Sequence, residues 1–304
     1  MRATYVIALA ILIYMIGRWV HNKPVLTVRG VAGAAFVLVF IAVLDHPEFA
    51  KFDLTSLRTG MMSGAPCPIE LMKRVLNEMH IRELVIAYGQ TETSPVVTMS
   101  DAGDSIEVRV NTVGRAMPKT GIKVMSVATG ETLPHGEQGE ICVSGYALMK
   151  GYDGDPEGTA LVIQPDGWLK TGDLGVMRED GCLRITGRSR DVIIRGGENI
   201  YPREVEEFLY THPKVGEVQV VGIPHERLGE IVVAWIRLRP AEEATEQEIR
   251  DWCQGQIAYY KIPEHIRFVT EFPATLSGKI QKYKMREFEI EARGLQAVAK
   301  EATA

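Results

Sequence analysis

Within six residues, Tyr88, Gly89, Gln90, Thr91, Glu92 and Thr93 gather an aromatic ring, two hydroxyls and a carboxylate around a glycine. An aromatic ring can lie on a base, hydroxyls and freed backbone N–H groups can hold phosphate oxygens, and a carboxylate can hold a magnesium ion. Taken alone, the six also fit a strand end followed by a polar loop. Other segments change that balance. In S-G-A-P-C-P at residues 63–68, Gly64 and Ala65 let the backbone approach a flat ligand closely. In T-G-D-L-G at residues 171–175, Asp173 stands where one carboxylate can accept both hydroxyls of a ribose. G-R-S-R-D at residues 187–191, R-G-G-E-N-I-Y-P at residues 195–202 and S-G-K at residues 277–279 follow in the same chain. So many small-residue and charged motifs in one order point to a ligand site rather than to a set of loops.

The elements that must carry these groups are legible from periodicity. Residues 58–63 and 84–88 read as strands, and residues 68–78 as a helix with proline at its start, which together make a β-α-β piece. Helical periodicity then disappears. Residues 123–127, 140–144, 174–178 and 182–186 read as strands of a β-rich barrel or sheet, with Asp180-Gly181 as a two-residue hairpin turn. Beyond Asp191 the pattern alternates: a helix from Pro202, strands at residues 215–221 and 231–238, a helix behind a Thr245/Glu248 capping box, and a last helix from about Lys282. That is a compact α+β unit of ordinary domain size. The expected organisation is an atypical apolar segment over residues 1–39, a βα and β-rich unit over residues 40–189, and an α+β unit over residues 190–304, with the boundary between Gly187 and Asp191 and an alanine-rich tail that frays.

Composition removes several function classes. A net charge of −5 supplies no basic surface for a nucleic-acid backbone, so small anions must be held by local geometry. The four cysteines contain no C-x-x-C pair, which argues against a zinc site and against a secreted disulfide framework. The cytoplasm is the expected compartment. The alternative is membrane attachment through residues 1–44, because Ala3 to Gly17 carry no charge. Those 15 residues fall short of the roughly 20 that span a bilayer, and no small-residue cleavage site follows them.

The ordered set S-G-A-P, Y-G-Q-T-E, T-G-D, G-R-S-R-D, G-G-E-N-I-Y-P, Y-K-I-P and S-G-K resembles the adenylate-forming superfamily of acyl-CoA synthetases, peptide-synthetase adenylation domains and luciferases. The resemblance runs from about Phe40 to Arg293. The stretch F-D-L-T-S-L-R-T-G-M-M-S-G-A-P-C-P and the ending from Y-Y-K-I-P to S-G-K-I-Q-K-Y-K-M-R-E look most like medium- to long-chain fatty-acyl-CoA synthetases. The resemblance implies an α/β large AMP-binding domain, present here as a βα piece and a β-rich subdomain, followed by a small mobile C-terminal α+β domain.

It also implies roles. Tyr88 would stack on adenine, with Gly89 and Gln90 beside it and the backbone of Gly64, Ala65 and Pro66 on the other face. Thr91 would bond the α-phosphate and Glu92 would bind Mg2+. Asp173 and Arg188 would fix the ribose, and Lys279 would lie between the acid's carboxylate and the α-phosphate. ATP and coenzyme A would be the cosubstrates. The small domain would turn about Arg190, withdrawing Lys279 and bringing Gly196, Gly197 and Glu198 toward the thioester site. Relatives often carry Lys or Asp at that pivot. The superfamily's Ser/Thr/Gly-rich loop, T-S-G-T-T-G-x-P-K, is expected well upstream of Phe40, and residues 1–39 contain no Gly-rich loop. The resemblance is therefore to a C-terminal half, and adenylation by these 304 residues alone is expected to be slow or absent. The partners are small molecules: fatty acid, ATP and CoA.

Overall fold

Among the described residues, helices and strands together bury one apolar cluster ahead of Ser189 and two beyond Asp191. The computed structural model describes residues 40–41, 43–64, 67–275 and 280–301; the apolar segment 1–39, Ala65, Pro66 and Lys279 lie outside the described residues. In the first unit, β1 (Thr59–Met62), α1 (Ile69–Glu78) and β2 (Glu83–Tyr88) form the expected β-α-β piece, with β1 and β2 parallel. Leu71, Met72, Val75 and Met79 recur on one helical face and bury against Met62, Leu84 and Ile86. Each such side chain stabilises the fold by about 1.5–3 kcal/mol when fully buried. The chain continues through β3 (Thr98–Met99), α2 (Ile106–Asn111) and β4 (Arg115–Ala116), completing a sheet in the order β1-β2-β3-β4. Strands of two residues leave no period to read, and neither β3 nor β4 was expected.

The expected β-rich part is an antiparallel four-stranded sheet: β5 (Thr120–Met125), β6 (Gln138–Gly145), β7 (Leu169–Met177) and β8 (Leu183–Arg188), with α3 (Pro156–Val162) inserted before β7. The turn between β7 and β8 differs from expectation. Arg178 N–H donates to Cys182 O and Gly181 N–H to Arg178 O, so the loop has three residues, 179–181, and only Gly181 takes positive φ, at +75°. Asp180 instead accepts from Cys182 N–H at 3.0 Å, which stabilises the longer loop.

Beyond the 3-10 turn Ser189–Asp191 a third sheet begins: β9 (Ile193–Arg195) and β10 (Glu198–Ile200), then α4 (Pro202–Leu209), β11 (Val215–His225), β12 (Gly229–Leu238), α5 (Glu246–Cys253), β13 (His265–Phe268), α6 (Lys282–Ala292) and α7 (Gln296–Glu301). The β11–β12 hairpin is buried on both faces. Val218, Val220, Val232, Ala234 and Ile236 enter one core with Val205 and Ile249, and Val221, Ile223, Ile231, Val233 and Trp235 enter another with Met285. A sheet covered on both sides explains why its strands read as unbroken apolar runs. Gly196 and Gly197, at φ +61° and +91°, form the two-residue turn between β9 and β10, a backbone that side chains with a Cβ resist.

Two local expectations are corrected. The capping box at α5 is half formed: Thr245 Oγ1 accepts from Glu248 N–H at 3.1 Å, but the Glu248 carboxylate is held by Lys214 Nζ at 2.7 Å. The tail expected to fray carries α7 through Glu301. No helix among the described residues is long and apolar enough to cross a membrane.

Candidate functional site

Tyr88 closes β2, and its hydroxyl donates to Asp173 Oδ2 of β7 at 2.8 Å. Arg188 Nε donates to the other oxygen, Oδ1, at 2.9 Å, and Asp173 and Arg188 stand directly opposite each other on β7 and β8. The Asp173 carboxylate is thus gripped from two sheets at once. Tyr88 and Asp173 are buried, whereas the Arg188 side chain is half exposed, so the cluster opens to solvent on the arginine side. Burial and the neighbouring Asp173 carboxylate hold the Tyr88 hydroxyl far above its usual range, which keeps it a proton donor.

A β-bulge puts Asp173 there. Glu140 pairs with Leu174 and Cys142 with Lys170, so Thr171, Gly172 and Asp173 all face Ile141 and the strand buckles. Side chains fasten the buckle: Thr171 Oγ1 donates to Ile141 O at 2.8 Å, and Asp173 N–H donates to Thr171 Oγ1 at 3.1 Å. Gly172 N–H donates to Glu140 Oε1 at 3.1 Å, and Ser189 Oγ donates to Gly172 O at 3.1 Å. Sequence reasoning passed over Glu140 and Ser189, because their partners depend on strand register, which no local pattern encodes.

After β2 the chain enters the 3-10 turn Thr91–Thr93, closed by Gln90 N–H donating to Thr93 Oγ1 at 3.1 Å and Thr93 N–H donating to Gln90 O at 3.0 Å. Thr91 points to solvent and Glu92 is half-buried. Tyr152 Oη donates to Glu92 Oε1 at 3.1 Å, a second contact that sequence reasoning missed. A pocket of about 180 Å³ lies between this turn and the bulge, lined among others by Gln90, Glu92, Glu140, Tyr152, Thr171 and Gly172. Among the described residues no group of three or more His, Cys, Asp or Glu could hold a metal ion. A cation at Glu92 would take its other ligands from phosphate oxygens and water, which is how Mg2+ usually binds, so this single carboxylate fits Mg2+ bound together with a nucleotide.

The remaining candidates fall elsewhere. Gly64, at φ +84°, follows β1 beside β2. The segment carrying Lys279 is closed at its base, where Ala274 bridges Ile280 and Gln281 N–H donates to Pro273 O at 2.8 Å. Gly196, Gly197 and Glu198 belong to the exposed β9–β10 turn of the third sheet, where Gly196 N–H donates to Leu228 O at 2.7 Å.

In this mixed α/β fold the strand end of a β-α-β piece meets a bulged antiparallel sheet at the Tyr88–Asp173–Arg188 cluster. The profile of the family described as AMP-binding enzyme matches residues 27–153, beginning ahead of Phe40, and that of the AMP-binding enzyme C-terminal domain matches residues 204–279. The chain belongs to this adenylate-forming family. It is 52% identical over 259 residues to a putative acyl-CoA synthetase, YngI, of Bacillus subtilis, covering 85% of this chain and 47% of that protein. It is 47% identical over 249 residues to the mitochondrial medium-chain acyl-CoA ligase ACSF2 of Bos taurus, covering 82% of this chain and 40% of that protein. It therefore spans less than half the length of these curated relatives. Among solved structures, ATP-bound MatB of Rhodopseudomonas palustris superposes with a TM-score of 0.75 at 31% identity, over 83% of this chain and 49% of that one. The apo form of MatB superposes less well, at 0.62, over 83% and 50%.

Proposed function

We propose that these residues carry the AMP-binding part of an AMP-forming fatty acid–CoA ligase, which activates a carboxylic acid as its acyl-adenylate and passes the acyl group to coenzyme A. The observation that carries the reading is the Tyr88–Asp173–Arg188 cluster, which fastens the Y-G-Q-T-E strand end to the T-G-D bulge. The superposition on ATP-bound MatB, at a TM-score of 0.75 and 31% identity, supports a nucleotide site. The similarity to ACSF2, named a medium-chain acyl-CoA ligase, supports a fatty acid as substrate.

In this reading, Asp173 accepts hydrogen bonds from the ribose hydroxyls and Arg188 braces it. The Tyr88 ring and the backbone of Gly64, Ala65 and Pro66 border the adenine, with Gly89 and Gln90 beside it. Thr91 donates to the α-phosphate, and Glu92 holds Mg2+, which neutralises charge on the phosphates. The acid's carboxylate attacks the α-phosphorus, its P–O bond to pyrophosphate breaks, and Lys279 offsets repulsion between the two anions as they meet in line. In the second half the CoA thiolate attacks the acyl carbon and AMP leaves, with the Gly196-Gly197 turn and Glu198 beside the thioester site. Residues 40–189 serve as the large-domain part and residues 190–304 as the small domain. The proposed setting is the cytoplasm, with small-molecule partners and no nucleic acid.

No Ser/Thr/Gly-rich phosphate loop stands in residues 1–304, so the cradle for the leaving pyrophosphate is not among them. This favours a second reading for the 304-residue polypeptide taken by itself, as a binder of nucleotide or CoA that does not complete the reaction. Pyrophosphate release with Mg2+-ATP and a panel of fatty acids, beside calorimetric titration with AMP, separates the two. Turnover near 1 per second, within the ordinary enzyme range, would establish ligase activity for the polypeptide. AMP binding without turnover is the expected result; absence of AMP binding would overturn the ligase reading, and absence of CoA binding as well, in a parallel titration, would overturn the second.

A further inference from the structure

α1 begins without a cap of its own. The residue before it is Pro68, which has no side chain able to accept from the first helical N–H groups, and no side-chain cap is formed there. Helix N-termini leave such donors unsatisfied and carry partial positive charge. The acceptor comes instead from the second unit, 138 residues further on. Glu207 Oε2 of α4 accepts from Ile69 N–H, the first of α1, at 3.2 Å. Arg203, one turn earlier on α4, stands 3.6 Å from Glu207 Oε1, and Arg184 of β8 acts on the same carboxylate.

The residue beside it faces the other way. Glu206 is buried, and its Oε1 accepts from Val220 N–H at 2.8 Å and from Lys282 Nζ at 2.6 Å. Lys282 opens α6 and follows the Lys279 segment by three residues. Adjacent carboxylates on one helix therefore hold two different things: Glu206 holds the base of the Lys279 segment, and Glu207 holds the helix that follows Gly64 and Cys67. Between the units the backbone runs through the 3-10 turn Ser189–Asp191, and the cores on its two sides are separate. A linker of that length leaves the mutual angle to side-chain contacts.

We propose that Glu207 is a positioning residue: by capping α1 across the domain boundary it sets the orientation of the second unit, and with it Ile280 and Gln281 at the base of the Lys279 segment, relative to the strand ends that precede Ser63 and Gly89. The contact stands on geometry alone. Its meaning for catalysis rests on the ligase reading above.

The test uses the 304-residue chain without substrates. Wild type, E207A and E207Q are compared by the rate of tryptic cleavage after Arg188 and Arg190 and by the rate of Cys67 alkylation with N-ethylmaleimide. Cys67 is buried beside Arg203 and Glu207, so undocking exposes it. Both rates should rise about tenfold in E207A, as expected for loss of one hydrogen bond to a charged group. E207Q should recover part of the difference, because its amide oxygen still accepts from Ile69 N–H although the charge facing Arg203 is gone. Hydrogen exchange of the β11–β12 core should be the same in all three. Unchanged rates in E207A, no rescue by E207Q, or faster core exchange alongside faster cleavage would each overturn the proposal. Since no turnover is measured, a failure here is separate from a failure of the ligase reading.

Discussion

Tyr88 and Asp173, 85 positions apart, meet at 2.8 Å, with the phenol donating to a carboxylate that Arg188 grips from the other side. Removing the phenol oxygen deletes one hydrogen bond, whereas removing the carboxylate also strands a buried hydroxyl and an arginine. Tyr88→Phe is expected to weaken AMP binding about 3- to 10-fold, because Arg188 still holds the carboxylate in place, and Asp173→Ala about 10- to 100-fold, in line with about 1.5–3 kcal/mol for a hydrogen bond to a charged group. Calorimetric titration with AMP measures both, and Asp173→Ala should also lower the melting temperature. Equal effects of the two substitutions would remove Asp173 from the ribose role.

Gly89 has no room for a side chain. A Cβ there would lie 1.9 Å from Pro95 O and 2.7 Å from Pro95 C, backbone atoms with no rotamer by which to escape. Gly89→Ala is expected to cost about 2–3 kcal/mol, lowering the melting temperature of the first unit by roughly 5–10 °C. Gly187→Ala is the control: its Cβ would meet only Tyr201 at 4.0 Å, so stability should change by less than about 0.5 kcal/mol. Thermal unfolding followed by circular dichroism compares them.

The proposed role of Lys279 divides the reaction. In an enzyme complete in its phosphate loop, Lys279→Ala should lower acyl-adenylate formation by 100-fold or more while sparing thioester formation from supplied acyl-adenylate, because an ammonium placed between two approaching anions matters only while they approach. Single-turnover assays of each half separate the outcomes. Equal loss in both halves would remove the lysine from that role.

The second unit should lose stability in mild acid. Burial holds His212 and His265 below their ordinary value of 6.5, with the Lys214 and Arg293 charges acting in the same direction. The unfolded chain takes up protons at these histidines near pH 6.5, before the folded one does. The stability they contribute is therefore present above pH 6.5 and is lost as pH falls from there through the depressed values. Melting temperature measured from pH 7.5 down to pH 5 should fall less steeply in the double variant His212→Gln/His265→Gln than in wild type. Parallel curves would show that the histidines do not carry the effect.

Local chemistry was legible wherever it was repeated along the chain. The apolar face of α1 and the alternating or unbroken runs of β6, β11 and β12 announced themselves. β3 and β4 were not legible, since each has two residues and exists only because β2 and its neighbours offer edges to pair with. The Asp180 turn was misjudged by one residue because Asp180 side-chain bonding to Cys182 N–H favours a longer loop. The Thr245 cap formed, but its reciprocal partner was taken by Lys214, a competitor brought close only by folding.

By itself the sequence determined which chemistry is present: a ring, hydroxyls and carboxylates in Y-G-Q-T-E-T and T-G-D, and glycines where backbone must come close. Residue types and short-range periods are local properties, so they survive without coordinates. Only the tertiary structure decided that Tyr88 fastens onto Asp173, that Glu140 and Thr171 hold the bulge beneath it, that Tyr152 braces Glu92, and that Glu207 caps a helix of the other unit. Each of these contacts joins positions at least 30 residues apart through strand register or domain docking. Register depends on which residues a bulge displaces, and docking on which buried groups lack a partner; both are settled by packing, not by neighbours in the chain.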